Sequence, residues 1–250
     1  VSVFVMSLSL TGIIIPQILL IAFRRKLFDE PDPRKTHQGA IPRLGGMAFM
    51  PSMYFAIACV MGLIWTFYQD EMSFEIVQQT KELSFASCAL MLMYLIGMAD
   101  DLIGVKYRAK FVVQIITGVF NVIASLSINN LWGFMGLFEL WNPIGWALTV
   151  LVVVYITNAI NLIDGIDGLA SGLGAVACLY YGLVLFAEEQ YIYSLIAFSV
   201  LGTLVPFYYY NVFGDPNKQE KIFMGDTGAL TIGLVMTVLS MRICHEGLGL

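Results

Sequence analysis

The sequence predicts an all-α protein, a polytopic membrane helix bundle with about eight transmembrane helices, and three observations support this prediction. Hydrophobic residues make up 58% of the 250 residues, charged residues only 12%, and the mean hydropathy is +0.79. Soluble domains carry about 25% charged residues. The apolar residues also form runs of roughly 20, the length that a membrane-spanning helix needs, with short polar clusters between them.

Eight candidate helices result when the chain is cut at its polar clusters. The first run lacks the basic start and the small-residue cleavage site of a signal peptide, so it is interpreted as a membrane helix. The whole chain, 1–250, is interpreted as one integral membrane domain, with 69–82 as a polar connection. Because it ends soon after an apolar run, we expect it to lack a C-terminal part. The helices cover about 2–23, 45–67, 83–99, 109–127, 143–160, 168–187, 191–210 and 226–243.

The positions of the charges predict an orientation. Eleven of the 13 Lys and Arg residues fall on alternate connections or just inside the fourth helix, and the positive-inside rule makes that side cytoplasmic. Acidic residues and the four tryptophans mark the other side. The four cysteines are isolated, so neither a disulfide framework nor a thiolate metal site is expected. The eleven are Arg24, Arg25, Lys26, Arg34, Lys35, Arg43, Lys106, Arg108, Lys110, Lys218 and Lys221.

Two polar clusters on the predicted cytoplasmic side carry basic residues, and the second also contains a pair of acids. The stretch RKTHQGAIPRLGG (34–46) is interpreted either as a membrane anchor or as a phosphate-binding loop. In GMADDLIGVKYRAK (97–110), Asp100 and Asp101 end an apolar helix, where the helix dipole disfavours negative charge. A nearby Lys or Arg could neutralise them. Alternatively, they bind a divalent ion or one acts as a base, and both interpretations stay open.

A third cluster, NAINLIDGIDGLASGL (158–173), starts with four polar residues at every third position, and this spacing places the first three, from Asn158 to Asp164, near one helical face. Carboxylate and amide oxygens are hard ligands, and Mg²⁺ binds one or two carboxylates together with water and substrate phosphates. The alternative is packing between helices through Asn hydrogen bonds and through Gly168 and Gly172. That alternative does not explain Asp164 and Asp167 together.

The fourth cluster, KIFMGDTGAL (221–230), opens the last predicted helix with Asp226. A helix N-terminus presents free N–H groups and the positive end of the dipole, which suits a phosphate. An N-cap role for Asp226 is the alternative. Taken together, the clusters indicate a metal-assisted site for a phosphorylated cytosolic substrate.

These motifs resemble the polyprenyl-phosphate N-acetylhexosamine-1-phosphate transferases of glycosyltransferase family 4. The motifs ADD, NLIDGIDGL and FMGDTG carry the resemblance, which runs from Arg34 to about Leu230. Members move a sugar-1-phosphate from a UDP-sugar to a lipid phosphate and release UMP. The stretch KTHQGAIPRLGG is more similar to the branch that uses UDP-N-acetylglucosamine and undecaprenyl phosphate for O-antigen, teichoic acid or capsule synthesis. The phospho-N-acetylmuramoyl-pentapeptide transferases remain the alternative.

The resemblance implies a role for each matching residue. Asp100 and Asp101 are the catalytic pair, and Asp100 is preferred as the group that deprotonates or orients the lipid phosphate. Asn161 and Asp226 match ligands of Mg²⁺, which Mn²⁺ could replace. The expected substrate-binding residues are Lys110 at the diphosphate, Asp164 and Asp167 at the nucleotide-sugar, Phe223 on the uracil, and Arg43 and His37 in the basic loop.

The expected partners are a UDP-sugar, a polyprenyl phosphate and the membrane, with a homodimer left open and no nucleic acid. The expected location is the bacterial cytoplasmic membrane, with the site facing the cytoplasm. The rival class is a cation-coupled transporter, which predicts acids near the bilayer midplane and an inverted repeat. Here the five aspartates of the motifs cluster on one side and no repeat is visible. The family's C-terminal His/Arg-rich loop has no match in this chain.

Overall fold

The computed structural model describes residues 1–28, 41–67, 69–133, 136 and 138–245. Their secondary structure is mainly helical, with one antiparallel bridge between Asn130 and Glu139 and short 3₁₀ turns at Gly45–Ala48 and Pro216–Lys218. The α-helices within these ranges are α1 Ser2–Arg25, α2 Phe49–Phe67, α3 Gln69–Ile103, α4 Tyr107–Ile123, α5 Asn142–Ile163, α6 Leu169–Ala187, α7 Tyr191–Val212 and α8 Gly225–His245.

The all-α, multi-pass prediction is confirmed. Seven of these helices are long and apolar enough to cross a membrane, and α4, at 17 residues, lies at the lower limit of that length. The prediction that 69–82 is a connection between helices is wrong, because α3 begins at Gln69. Hydropathy marks where a helix enters the apolar layer and not where the helix begins. The stretch 69–82 contains neither Gly nor Pro, so nothing in it stops the helix.

Helix α8 is the centre of the bundle. In its most apolar window 83% of the residues are buried, against 17–56% in the other six candidate spans. It packs against α3, α5 and α6 and against the 3₁₀ turn that leads into α2. Around it, α1 packs on α7 and α2, α7 packs on α6, and α4 lies between α3 and α5. The other helices therefore shield α8 from lipid.

Glycines allow this close packing. A Cβ atom on Gly46 would lie 2.0 Å from the backbone nitrogen of Gly228, and one on Gly97 would lie 2.6 Å from the Cα of Thr227. Small residues that let helix backbones approach closely are typical of membrane helix interfaces. The start of α8 is consequently held by backbone contacts on two sides.

The connections that were predicted to share a face do meet at one end of the bundle. The segment before α2 pairs with the segment before α8, because Phe223 donates its N–H to the carbonyl of Pro42 at 2.9 Å and accepts the N–H of Gly45 at 2.9 Å. Asn211, near the end of α7, accepts the N–H of Gly168, which precedes α6, at 2.7 Å. All the polar clusters of the sequence that the structure describes therefore converge around the start of α8.

The contact between Gly46 and Gly228 gives a stability prediction. Gly46→Ala is expected to lower the free energy of unfolding by roughly 1–3 kcal/mol, the usual cost of overpacking, because the new methyl group meets backbone atoms that cannot move aside. Thermal unfolding in detergent measures the effect. Gly62→Ala in α2 is the control, since no atom lies within 4 Å of its added Cβ, and it should leave the melting temperature nearly unchanged. Equal melting temperatures for the two variants would contradict the packing argument.

Candidate functional site

The carboxylate of Asp101, in the last turn of α3, caps the start of α8. Its Oδ1 accepts the backbone N–H of Asp226 at 2.8 Å. Its Oδ2 accepts the backbone N–H of Thr227 at 2.9 Å and the hydroxyl of Thr227 at 2.5 Å. The first N–H groups of a helix have no partner inside the helix and carry the positive end of its dipole. The N-cap role considered for the side chain of Asp226 is therefore wrong, because Asp101 of another helix provides the cap.

This cap explains how two adjacent acids are tolerated at the end of α3. The negative end of the α3 dipole disfavours them, but the positive end of α8 faces Asp101. Asp100 accepts the backbone N–H of Val105 at 2.7 Å and pairs with the ammonium group of Lys110 at 3.1 Å. Of the alternatives raised for this pair, the neutralising cation is present and is Lys110.

The freed side chain of Asp226 is held by two other helices. The ammonium nitrogen of Lys110, from α4, lies 2.7 Å from Oδ2 of Asp226. The amide of Asn161, from α5, donates to Oδ1 at 3.0 Å. Four helices therefore each contribute a side chain to one polar cluster, which we call the Asp226 cluster: Asp100, Lys110, Asn161 and Asp226.

A tight turn between α3 and α4 brings Lys110 to this cluster. Gly104 has a φ of +68° and donates its N–H to the carbonyl of Asp100 at 2.9 Å, which ends α3. Such a left-handed glycine is a common C-terminal stop for helices. Lys106 is extended, and α4 starts at Tyr107, so that Lys110 lies on its first turn. The sequence LIG after ADD contains this stop signal.

Asp164 follows α5 and turns towards the start of α8, where the N–H of Gly225 binds its carboxylate. Burial raises the pKa of Asp164 to about 7, and the neighbouring carboxylates of Asp101 and Asp226 add to the shift. Arg43 and the N–H of Gly225 act in the opposite direction but do not cancel it. The site therefore contains a carboxyl group that is only partly ionised at neutral pH in the absence of a further cation.

The other residues predicted to bind substrate differ in how deeply they are buried near the start of α8. Asp167 is exposed and pairs with the ammonium group of Lys221 at 2.6 Å. Phe223 is half-buried beside the start of α8. Arg43 is exposed and lies in the segment before α2, which pairs with the backbone of Phe223. His37 lies outside the described residues.

Asn158 does not join the Asp226 cluster, although the spacing of three suggested a common face. Its amide pairs instead with the amide of Gln114 in α4, which is a contact of the helix-packing kind considered above. The glycines of the same stretch also pack between helices, because a Cβ on Gly168 would lie 2.6 Å from the side chain of Val212. In this stretch the packing interpretation therefore applies to Asn158 and Gly168, while Asn161 and Asp164 lie at the start of α8.

Sequence reasoning missed Asn211 and Gln114. Asn211 is buried near the end of α7 and connects two loops, accepting the N–H of Gly168 and donating to the carbonyl of Ile222 at 2.9 Å. A lone amide in the last turn of an apolar helix, in YYYNVFGD, was the available signal. Gln114 is four residues after Lys110 on α4, a spacing that places both on one helical face.

The electrostatics of the site leave it net negative. Asp100, Asp101, Asp164 and Asp226 carry up to four negative charges, and Lys110 and Arg43 are the cations that interact with them most directly. Among the residues that the structure describes, no three His, Cys, Asp or Glu side chains form a metal site by themselves. A metal held here would have to take part of its ligands from a bound molecule or from water.

The fold and this site define a class, namely a multi-pass membrane protein with a carboxylate, lysine and amide cluster at one end of its helix bundle. The family described as glycosyl transferase family 4 matches residues 83–244, which is more than half of the chain. The matched range contains all four residues of the Asp226 cluster. The chain belongs to glycosyl transferase family 4.

Several relatives are similar to this chain over most of its length. The undecaprenyl-phosphate alpha-N-acetylglucosaminyl 1-phosphate transferase of Salmonella typhi is 32% identical over 89% of this chain and 56% of its own length. The protein of the same name from Escherichia coli (strain K12) is 30% identical over 92% of this chain and 60% of its own. A probable undecaprenyl-phosphate N-acetylglucosaminyl 1-phosphate transferase of Bacillus subtilis (strain 168) is 31% identical over 95% and 61%. The chain thus spans about three fifths of the length of these relatives.

The raised pKa of Asp164 gives a prediction about pH. The folded protein keeps this proton up to about pH 7, whereas an unfolded chain releases it near the ordinary value of 3.8. Between pH 3.8 and about pH 7, a rise in pH therefore lowers the free energy of unfolding, because the unfolded chain gives up the Asp164 proton more readily. Removing the charge in Asp164→Asn should therefore raise the melting temperature, relative to wild type, more at pH 8 than at pH 5.

Thermal unfolding in detergent without metal or nucleotide makes this measurement. Glu188→Gln is the control, since it removes an exposed acid at the other end of α6 and should show the same difference from wild type at both pH values. A difference for Asp164→Asn that does not change with pH would contradict the raised pKa.

Proposed function

We propose that this protein transfers N-acetylglucosamine-1-phosphate from UDP-N-acetylglucosamine to undecaprenyl phosphate and releases UMP. The observation that carries the proposal is the Asp226 cluster, in which a lysine, an amide and two carboxylates converge at one end of a membrane bundle. The names of the relatives support the transferred group and the acceptor, and a UDP-sugar is our proposed donor. Such a reaction would be an early membrane step in building a cell-envelope polysaccharide.

In the proposed reaction an oxygen of the lipid phosphate attacks the β-phosphorus of the UDP-sugar. A bond forms between that oxygen and the β-phosphorus, and the bond from the β-phosphorus to the bridging oxygen breaks. UMP leaves with the electron pair, and the lipid then carries a diphosphate-linked sugar. Because the attacking phosphate is already anionic, the protein's main tasks are to position the two anions and to neutralise their charge.

The residues of the cluster suit these tasks. Lys110 places a positive charge between Asp100 and Asp226 and is the cation available to a phosphate oxygen that enters the site. Asp100 is proposed to orient the lipid phosphate. Asp101 is proposed to act as a positioning residue, because both of its oxygens are used in capping α8.

The nucleotide-sugar is proposed to lie along the loops that surround the start of α8. Asp164 and Asp167 would contact it, and Phe223 would stack on the uracil. Arg43 and His37, on the segment before α2, would neutralise phosphate charge. The cytoplasm supplies UDP-sugars, so we propose that this end of the bundle faces the cytoplasm of a bacterial inner membrane. The excess of basic residues on the same connections supports that orientation.

The donor atoms around Asp226 fit magnesium. The carboxylate of Asp226 and the amide of Asn161 lie within hydrogen-bond distance of each other, and oxygens of such groups are the ligands that Mg²⁺ prefers, with the remainder coming from phosphates and water. The net negative charge of the site also favours a dication. When bound, Mg²⁺ would withdraw charge from the diphosphate as UMP leaves.

Release of UMP from the protein at its full natural length, purified in detergent, tests the proposal. With UDP-N-acetylglucosamine, undecaprenyl phosphate and Mg²⁺, wild type is expected to form UMP, and omission of the lipid or addition of EDTA is expected to stop it. Asp226→Asn should lower kcat by on the order of 10²–10³-fold, because it weakens the hold on Lys110 and removes a carboxylate proposed to bind Mg²⁺, and these cations neutralise the reacting phosphates. Glu188→Gln, the same change at the other end of the bundle, should have no effect.

The possible failures are distinguishable. Turnover of a different UDP-sugar, such as UDP-N-acetylmuramoyl-pentapeptide, but not of UDP-N-acetylglucosamine would overturn the proposed donor and leave the reaction type. Folded wild-type protein that releases no UMP with any UDP-sugar would overturn the proposed function.

A further inference from the structure

Two amide side chains join α4 to α5 one helical turn deeper in the bundle than the Asp226 cluster. Gln114 donates from Nε2 to Oδ1 of Asn158 at 3.3 Å, and Asn158 donates back from Nδ2 to Oε1 of Gln114 at 2.7 Å. Gln114 follows Lys110 by four residues, and Asn158 precedes Asn161 by three. Residues at these spacings lie above one another on a helix, so the amide pair lies directly beneath the two side chains that hold Asp226.

The orientation of this amide pair is fixed by the backbone of α5. Asn158 also donates from Nδ2 to the carbonyl of Val154 at 2.7 Å. If the amide were turned over, its oxygen would face that carbonyl oxygen, so only one orientation is compatible with the helix. Both N–H bonds of Asn158 are therefore used within the protein, and the side chain of Gln114 is buried against it. These groups therefore bind each other and the backbone of α5.

The geometry of Asp226 depends on how α4 and α5 are placed relative to each other. Lys110 of α4 binds Oδ2 of Asp226, and Asn161 of α5 binds Oδ1. A rotation or sliding of one helix against the other would move one of these groups away from its oxygen. Such a movement would also break both hydrogen bonds of the amide pair.

We propose that Gln114 and Asn158 are positioning residues for the transfer reaction, because their paired amides set Lys110 and Asn161 against Asp226. This inference rests on the function proposed above and deepens it. It assigns a role to two residues that do not touch the reacting groups, one of which belongs to the NAINLIDG stretch and was expected to serve the site directly or to pack between helices.

The test uses Gln114→Met and Asn158→Leu, which are close to the native side chains in size and lack the amide, alone and together. Each single variant should lower kcat for UMP release about three- to twenty-fold, the range that interhelical hydrogen bonds in membranes support, with smaller changes in KM. The double variant should lose no more than the worse single variant, because the two amides act as a unit. All assays are run in detergent at a temperature well below each variant's melting temperature.

A second part of the test asks whether exchanging the two amides between the helices restores kcat. Gln114→Asn combined with Asn158→Gln moves one methylene group from α4 to α5 and keeps the two facing amides. This exchanged pair should recover most of the kcat that Gln114→Asn alone loses. Tyr181→Phe is the matched control, since it removes an interhelical hydrogen bond of 2.6 Å to Ser240 between α6 and α8, away from the Asp226 cluster. It should leave kcat unchanged.

Wild-type kcat in the variants, with or without a lower melting temperature, would mean that the pair only holds the helices together and would overturn the inference. The inference would also be overturned if the fold-losses in kcat of the two single variants multiplied in the double variant, because the two residues would then act separately. If wild type itself releases no UMP with any UDP-sugar, the proposed function fails and this inference fails with it. An active wild type with unaffected variants overturns this inference alone.

Discussion

The arrangement of the whole site depends on the cap that Asp101 places on the start of α8. This helix begins inside the protein, where its first N–H groups have little water to bind, and a carboxylate from α3 satisfies those of Asp226 and Thr227. Because the cap comes from another helix, the side chain of Asp226 is released from the capping role. It is then available to Lys110 and Asn161.

A second constraint follows from the position of α8 at the centre of the bundle. Backbones can approach its first turns closely only because Gly46, Gly97 and Gly228 have no side chains. The loops that carry Asp164 and Phe223 are thereby brought against the same helix end. The proposed reaction between a membrane lipid and a nucleotide-sugar would need a polar site at one end of the bundle, and the capped N-terminus of α8 provides one.

The sequence predicted much of this, and the reasons for the rest are physical. Hydropathy placed the ends of seven helices within four residues but missed the start of α3, because the polar stretch from Gln69 is helical without being apolar. The motifs predicted that Asp100, Lys110, Asn161 and Asp226 belong to one site, since the connections alternate between two sides. They could not predict which acid caps α8 or that Asn158 turns towards Gln114, because both depend on how helices distant in sequence are rotated against each other.

Hydrogen exchange in the segment 222–230 tests the central claim most directly. If Asp101 holds the start of α8, the peptide that contains Asp226 and Thr227 should exchange faster in Asp101→Ala than in wild type. Peptides from the outer half of α8 and from α1 should be unchanged. Unchanged exchange at the start of α8, together with lost UMP release, would contradict the account and would indicate that Asp101 acts in the chemistry itself.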